Sequence, residues 1–262
     1  MTERGIYVYG LVPAGAIAQA PGSSGVGDAP PVELICQRDV TAVVSRVDLD
    51  QYADETLRAN LADMDWVERM ARRHQQVLDQ VIEHCTPIPM RLCTVYRDEA
   101  GLREMLEREH EQLVTGLRQV ASKLEFGLKA FALSGGGRSA GSPAPVAAAS
   151  SGTAYLQGRL AQRSAGAQRR AEQERACDDV HGVLCALATA SRLNPLHRPQ
   201  VSGRERMMLI NASYLVANEQ RQQFCGRVQT LRDELPGHGV ELELTGPWPP
   251  YNFVPAAFGG LP

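Results

Sequence analysis

Residues 239–245, GVELELT, place Val240, Leu242 and Leu244 on one side and Glu241, Glu243 and Thr245 on the other. A period of two fits a strand with one buried face. Such a strand needs a sheet, and the residues upstream supply one. Residues 124–133 (LEFGLKAFAL) and 206–217 (RMMLINASYLVA) read as strands, and 196–202 (LHRPQVS) as a short one. Residues 154–191 read as a helical region broken near Gly166, and 218–235 as a helix closed by Pro236–Gly237. In chain order this is β-α-β-β-α-β, the ferredoxin-like arrangement. The order also assigns the stretch SGGGRSAGSPAPVAAASSG at 134–152. Its composition cannot pack a core and suits a flexible segment. The helices and strands after residue 152 need the strand at 124–133 to complete their sheet. The stretch is therefore an insertion within a domain, not a linker between two.

The first 122 residues follow another plan. Residues 5–12 (GIYVYGLV) are β-branched and aromatic and read as a strand, followed by a Pro-, Gly- and Ala-rich loop at 13–31. Short strands are expected at 32–37 and 40–47, with Arg38–Asp39 as a tight connection. A helix is expected over 60–85. Leu61, Met64, Val67, Ala71, His74, Leu78, Val81, Ile82 and Cys85 recur at steps of three and four, and Pro87 ends the pattern. Residues 88–96 (IPMRLCTVY) read as a strand. Residues 98–121 read as a second helix, with Asp98 as N-cap and Leu102, Leu106, Leu113, Leu117 and Val120 on its buried side. The expected organisation is α+β: an N-terminal α+β domain at 1–122, a ferredoxin-like domain at 123–245, and a tail at 246–262.

The tail, GPWPPYNFVPAAFGGLP, has too many prolines for a helix or a central strand. Yet Trp248, Tyr251, Phe253 and Phe258 fall within it, in a chain only 5% aromatic. That concentration argues for an extended segment lying in a groove. Trp248, Pro249, Pro250, Tyr251 and Phe253 are thus expected to pack on the body of the protein, with burial of Trp248 and Phe253 each contributing about 1.5–3 kcal/mol.

Charge narrows the function classes. The 262 residues carry 27 basic and 30 acidic side chains, net −3, which excludes a strongly cationic nucleic-acid binder. Residues 1–133 carry 14 basic and 20 acidic side chains, so the first half is acidic and the second mildly basic. Apolar runs fall far below the ~20 residues of a membrane-spanning helix, and the apolar stretch before Pro13 is too short for a secretion signal. A soluble, cytoplasmic protein without membrane or nucleic-acid partners is expected. Cys36, Cys85, Cys93, Cys177, Cys185 and Cys225 form no CxxC pair and read as reduced, small core residues.

Few residues point to chemistry. Cys177, His181 and Cys185 share one face of the expected 154–191 helix, a thiolate and imidazole set suited to zinc, but no fourth ligand accompanies them. Leu184 and Ala188 continue that face as a core stripe. His74 and His84 stand ten residues apart, with Glu83 and Arg91 as neighbours for a general base. His74 lies on the apolar stripe and has no nucleophile or oxyanion device beside it, so a hydrogen-bonded core histidine is the better reading. The glycines of Gly22–Gly27 and Gly135–Ser139 lack the Gly-Lys-Ser/Thr ending of a phosphate loop. Neither a metal nor a cofactor is expected. Arg163, Arg169, Arg170 and Arg175 form a basic stretch interleaved with Glu172 and Glu174. It reads as a solvated helix face or a grip on an acidic partner surface.

Several strings together carry a resemblance. They are Tyr7-Val8-Tyr9-Gly10; His74-Gln75-Gln76-Val77-Leu78; Ile88-Pro89-Met90-Arg91-Leu92-Cys93-Thr94-Val95; Lys123-Leu124-Glu125-Phe126-Gly127-Leu128-Lys129; Gly152-Thr153-Ala154-Tyr155-Leu156; Tyr214-Leu215-Val216; and, most specific, Leu244-Thr245-Gly246-Pro247-Trp248-Pro249-Pro250-Tyr251-Asn252-Phe253-Val254. With these the chain resembles the GvpF/GvpL family of gas vesicle proteins nearly end to end. It departs at Phe126, where the family more often has tryptophan, and at Cys93, where a small residue such as glycine is usual. The resemblance implies an N-terminal domain of family-specific fold and a modified ferredoxin-like C-terminal domain. It also implies a minor shell component or assembly factor, located in the cytoplasm on the gas vesicle. Its partners would be the hydrophobic shell protein and other gas vesicle accessory proteins. It implies no catalysis. The alternative from the residues alone is a small-molecule-binding sensor or enzyme on a ferredoxin-like sheet.

Overall fold

β1 (Arg4–Pro13) is central to the first sheet, and every residue from Gly5 to Val12 is buried. On one side it pairs antiparallel with β3 (Val40–Asp48), which in turn pairs with β2 (Glu33–Gln37). On its other side lie two short strands, β4 (Ile88–Pro89) and β5 (Val95–Tyr96). Helices α1 (Asp54–Ala62) and α2 (Met64–Ile82) follow β3, and α3 (Glu99–Arg108) and α4 (His110–Val120) follow β5. In this computed structural model the described residues are 3–27, 31–133, 152–196 and 207–255. The chain forms two compact units, Met1–Glu125 with Pro247–Pro262, and Phe126–Gly246.

Both faces of the first sheet are covered, and a bulge decides which residue faces which way. The β1–β3 register runs Val8↔Val44 and then Gly10↔Val43, so Tyr9 is an extra residue. Side chains alternate along a strand, and one inserted residue reverses the alternation beyond it. Accordingly Ile6 and Val8 share a core with Leu11, together with Leu102, Leu106 and Leu113 of α3 and α4. Tyr7 and Tyr9 share the opposite core with Val12, together with Met70, Val77 and Leu78 of α2.

The helices of this unit break where periodicity alone runs on. Asp63 is extended and its carboxylate accepts the Asp65 N–H, so it caps α2 and separates it from α1. The stripe expected across 60–85 therefore does not hold as one face. Leu61 is 47% and Met64 73% exposed, while Met70, His74, Val77, Leu78 and Val81 are buried. The expected 98–121 helix is likewise two helices meeting at Glu109, with its apolar positions Leu102, Leu106, Leu113, Leu117 and Val120 all buried. Asp98 caps α3 by accepting the Gly101 N–H at 2.8 Å. The expected strand at 88–96 is interrupted: β4 and β5 flank a turn in which Cys93 takes φ 64°. That conformation favours glycine.

The second unit is a four-stranded sheet in the order β7-β8-β6-β9. Its elements are β6 (Lys123–Ala132), α5 (Gly152–Cys185), β7 (Ala190–Leu193), β8 (Met208–Ala217), α6 (Arg221–Glu234) and β9 (Val240–Trp248). Tyr214 of β8 touches both helices, with ring centroids 5.7 Å from His181 of α5 and 5.5 Å from Phe224 of α6. Two expectations are corrected. α5 is continuous through Gly166, because one glycine costs a helix only about 1 kcal/mol and its neighbours are good helix formers. A strand pairs with β8 at Ala190–Leu193, ahead of the expected 196–202, of which 197–202 lies outside the described residues. α6 ends at Glu234, just ahead of Pro236 as expected, and a 3-10 turn over Leu235–His238, capped by Gly239 at φ 70°, follows it. The insertion expected at 134–152 lies outside the described residues, except for Gly152, which opens α5.

Candidate functional site

In the first unit, strings far apart in sequence meet in a buried polar cluster. The Cys93 N–H donates to the Tyr7 hydroxyl at 3.2 Å, and that hydroxyl lies 2.8 Å from His74 Nδ1. Tyr7 and His74 Nδ1 share one proton in this bond, on the hydroxyl or on the ring. Tyr9 donates to Ser45 at 3.0 Å and accepts the Val26 N–H at 2.8 Å. His74 Nε2 is buried and makes no hydrogen bond. Burial pulls the imidazole pKa down to about 4; the Met90 backbone lies near enough to oppose the shift. Burial also pushes the Cys93 thiol up to about 11 and raises Tyr7 well above its ordinary value. The cluster is neutral and closed, which suits packing. His84 and Glu83 sit elsewhere, beside residues 15–22 in an open depression of about 520 Å³.

The tail residues from Pro247 belong to this same unit. Glu125, buried within the strand LEFGL, accepts the Asn252 backbone N–H at 2.8 Å on one oxygen and the Asn252 Nδ2 on the other. Pro249 and Pro250 are buried. Tyr251 packs against the α2-side core, and Val254 is part of the core under α3 and α4. The tail thus closes the seam between the two halves of the core. Trp248 corrects the expectation of its burial: it ends β9 and is 38% exposed, because the chain is still a strand there and turns inward only at Pro249. Phe253 is half-buried. Glu125 was a missed residue; a lone carboxylate inside an apolar strand is the signal that marks it.

The arginine stretch lies on α5. Every residue from Gly158 to Arg170 is exposed, and packing begins at Gln173, Cys177, Val180 and Leu184. At about 100° per residue, Arg163 and Arg170 share one side of the helix, while Arg169 and Arg175 point roughly 120° to either side. The four are spread around an exposed rod and do not form one patch. Arg175 lines a cavity of about 360 Å³ between α5 and α6, where Asp179, Arg227 and Glu234 surround an apolar floor that includes Val180 and Leu231. Leu160, Leu193, Leu196 and Met207 are exposed in this unit, and Leu193 sits on β7, an edge strand.

All six cysteines are free, and only Cys177 is fully buried. Cys36 is exposed and the other four are partly so, which corrects their reading as core residues. The Cys177–His181–Cys185 face splits: Cys177 enters the core, while Cys185 contacts His181. Among the described residues no group of three or more His, Cys, Asp or Glu is placed to hold a metal ion, and no helix is long and apolar enough to cross a membrane.

Comparison with known proteins agrees with the shared strings. The family described as gas vesicle synthesis protein GvpL/GvpF matches residues 5–255. Gas vesicle protein L of Streptomyces sp. (strain CB03234) is 35% identical over 97% of this chain and 94% of its own length. Gas vesicle protein F of the same strain is 29% identical, covering 95% and 98%. The crystal structure of the gas vesicle protein GvpF from Anabaena sp. PCC7120 superposes with a TM-score of 0.64 at 18% identity, over 98% of this chain and 99% of that one.

Proposed function

Because the chain belongs to the GvpL/GvpF family of gas vesicle synthesis proteins, we propose that it supports gas vesicle formation as a non-enzymatic shell component or assembly factor that binds the hydrophobic shell protein. The observation that carries this reading is the family match along nearly the whole chain. The physical need is plain: subunits of a gas-facing shell expose apolar surface and aggregate unless a partner covers them. Two features of the second unit support such a contact. β7 and β9 are edge strands, and an edge presents unpaired N–H and C=O groups for strand addition. Leu193 and Leu196 offer exposed apolar surface at the β7 side. The exposed arginines of α5, Arg163, Arg169 and Arg170, suit a second, acidic partner among the gas vesicle accessory proteins. The greater identity to the L protein than to the F protein of one strain supports an L-type role.

The test is a pull-down of shell protein at low and high salt, beside a deletion strain. Apolar binding survives salt, whereas binding through the α5 arginines weakens steeply over a Debye length of about 8 Å. Retention on washed vesicles distinguishes a shell component from an assembly factor. Normal vesicle yield in the deletion strain with no complex at either salt would sink the proposal and favour the ligand-binding alternative.

A further inference from the structure

Cys185 is the last residue of α5, and its thiol meets an imidazole and a hydroxyl. Sγ lies 3.5 Å from His181 Nε2, 3.7 Å from His181 Nδ1 and 3.2 Å from the Ser191 hydroxyl of β7. His181 sits one turn earlier on the helix, and its Nδ1 is 2.7 Å from the hydroxyl of the fully buried Tyr214. That bond anchors the imidazole and holds it against the sulfur. Cys185 and His181 are partly exposed and Ser191 is exposed, so small reagents reach the group. Four of the other five cysteines differ, and Cys225, partly exposed on α6, is the thiol from which Cys185 must be told apart. Burial pushes the thiols of Cys85, Cys93 and Cys177 up to about 11. The exposed Cys36 faces only a backbone carbonyl, that of Arg38, at 3.6 Å.

We propose that Cys185 is the reactive thiol of this protein and a site of covalent modification by small-molecule disulfides. A thiol with a base and a hydroxyl donor at its sulfur is the arrangement that activates a cysteine. In the tautomer whose Nδ1–H donates to the Tyr214 hydroxyl, His181 Nε2 takes the thiol proton, and Ser191 donates a hydrogen bond to the resulting thiolate. The thiolate attacks one sulfur of the disulfide, an S–S bond forms to Cys185, and the original S–S bond breaks. An alkyl leaving thiolate takes the proton from His181, whereas an aromatic one departs as the thiolate and His181 gives the proton to solvent. Cys185 and one half of the reagent end as a mixed disulfide, the other half is reduced to a thiol or thiolate, and no further oxidant is needed. An adduct at Cys185 lies beside β7 and changes what that edge strand presents.

The probe is dithiobis(nitrobenzoate), whose released thiolate is coloured, applied to the native full-length protein. The expected trace has one fast phase, removed by Cys185→Ala, and slower phases from Cys36 and Cys225, removed by Cys36→Ala and Cys225→Ala. His181→Gln slows the fast phase by about tenfold or more, and Ser191→Ala by about threefold, with the Cys36 phase unchanged. Ser191 is exposed, so its variant keeps the test sharp even where His181→Gln disturbs folding. A fast phase that belongs to another cysteine, or one that both Ser191→Ala and a folded His181→Gln leave unchanged, overturns the proposal. Neither result depends on whether the shell protein is the partner.

Discussion

His74 and Glu125 show how single polar side chains hold the first unit together. Burial keeps the His74 pKa near about 4, against an ordinary value of 6.5. Between those values the unfolded chain binds a proton that the folded chain refuses, so stability falls as pH drops through that window. The loss is about 3 kcal/mol in all. His74→Gln keeps an acceptor for Tyr7 and removes the titration. Its urea midpoint should therefore fall less than that of the parent between about pH 6.5 and 4; parallel curves would contradict a buried neutral imidazole. Asn252→Ala deletes the side-chain donor to Glu125 while the backbone N–H remains. It should cost about 1.5–3 kcal/mol in urea unfolding, the range for hydrogen bonds to a charged group. No measurable loss would mean that the backbone bond alone holds the tail.

At the scale of elements, the sheet is decided by one inserted residue and the first half of α5 by its exposure among the described residues. The Tyr9 bulge lets β1 supply Ile6, Val8 and Leu11 to one core and Tyr7, Tyr9 and Val12 to the other. α5 has no buried side chain between Gly158 and Arg170, so that stretch rests on local helix propensity. Gly166 has open space where a Cβ would go. Gly166→Ala should therefore stabilise this part of α5 by about 0.5–1 kcal/mol. Slower amide hydrogen exchange confined to the exposed half of α5 is the expected readout. Unchanged exchange there would show that something besides propensity holds the helix.

For the whole molecule, the last described stretch of the chain belongs with the first. β6 starts in the first unit and continues into the second, and β9 makes the reverse passage before the tail. A chain ending at Gly246 leaves Glu125 without Asn252 and uncovers the sites of Tyr251 and Val254. It should lose several kcal/mol, at about 1.5–3 kcal/mol for each large apolar side chain removed from the core. A lowered melting temperature with new binding of a hydrophobic dye is the expected result; an unaltered melt would show the tail to be dispensable. The residues from Pro249 to Val254 are thus accounted for by packing within the first unit.

Most elements, and the order of those in the second half, are legible from local pattern. The alternation at Val240–Leu244, the apolar steps from Leu102 to Val120, the cap at Asp98 and the β-α-β-β-α-β order are properties of neighbours within a few residues, where backbone geometry imposes a period. The shared strings determined the family. Tertiary packing chose the partners that lie far along the chain or on different elements: Tyr7 with His74, Glu125 with Asn252, and Cys185 with Ser191. The first two pairs lie 67 and 127 residues apart. No periodicity reaches that far. Local pattern also missed the parity switch at Tyr9, the break at Asp63 and the exposure of Trp248. In each case the outcome depends on where the rest of the chain lies when a residue must choose between core and water.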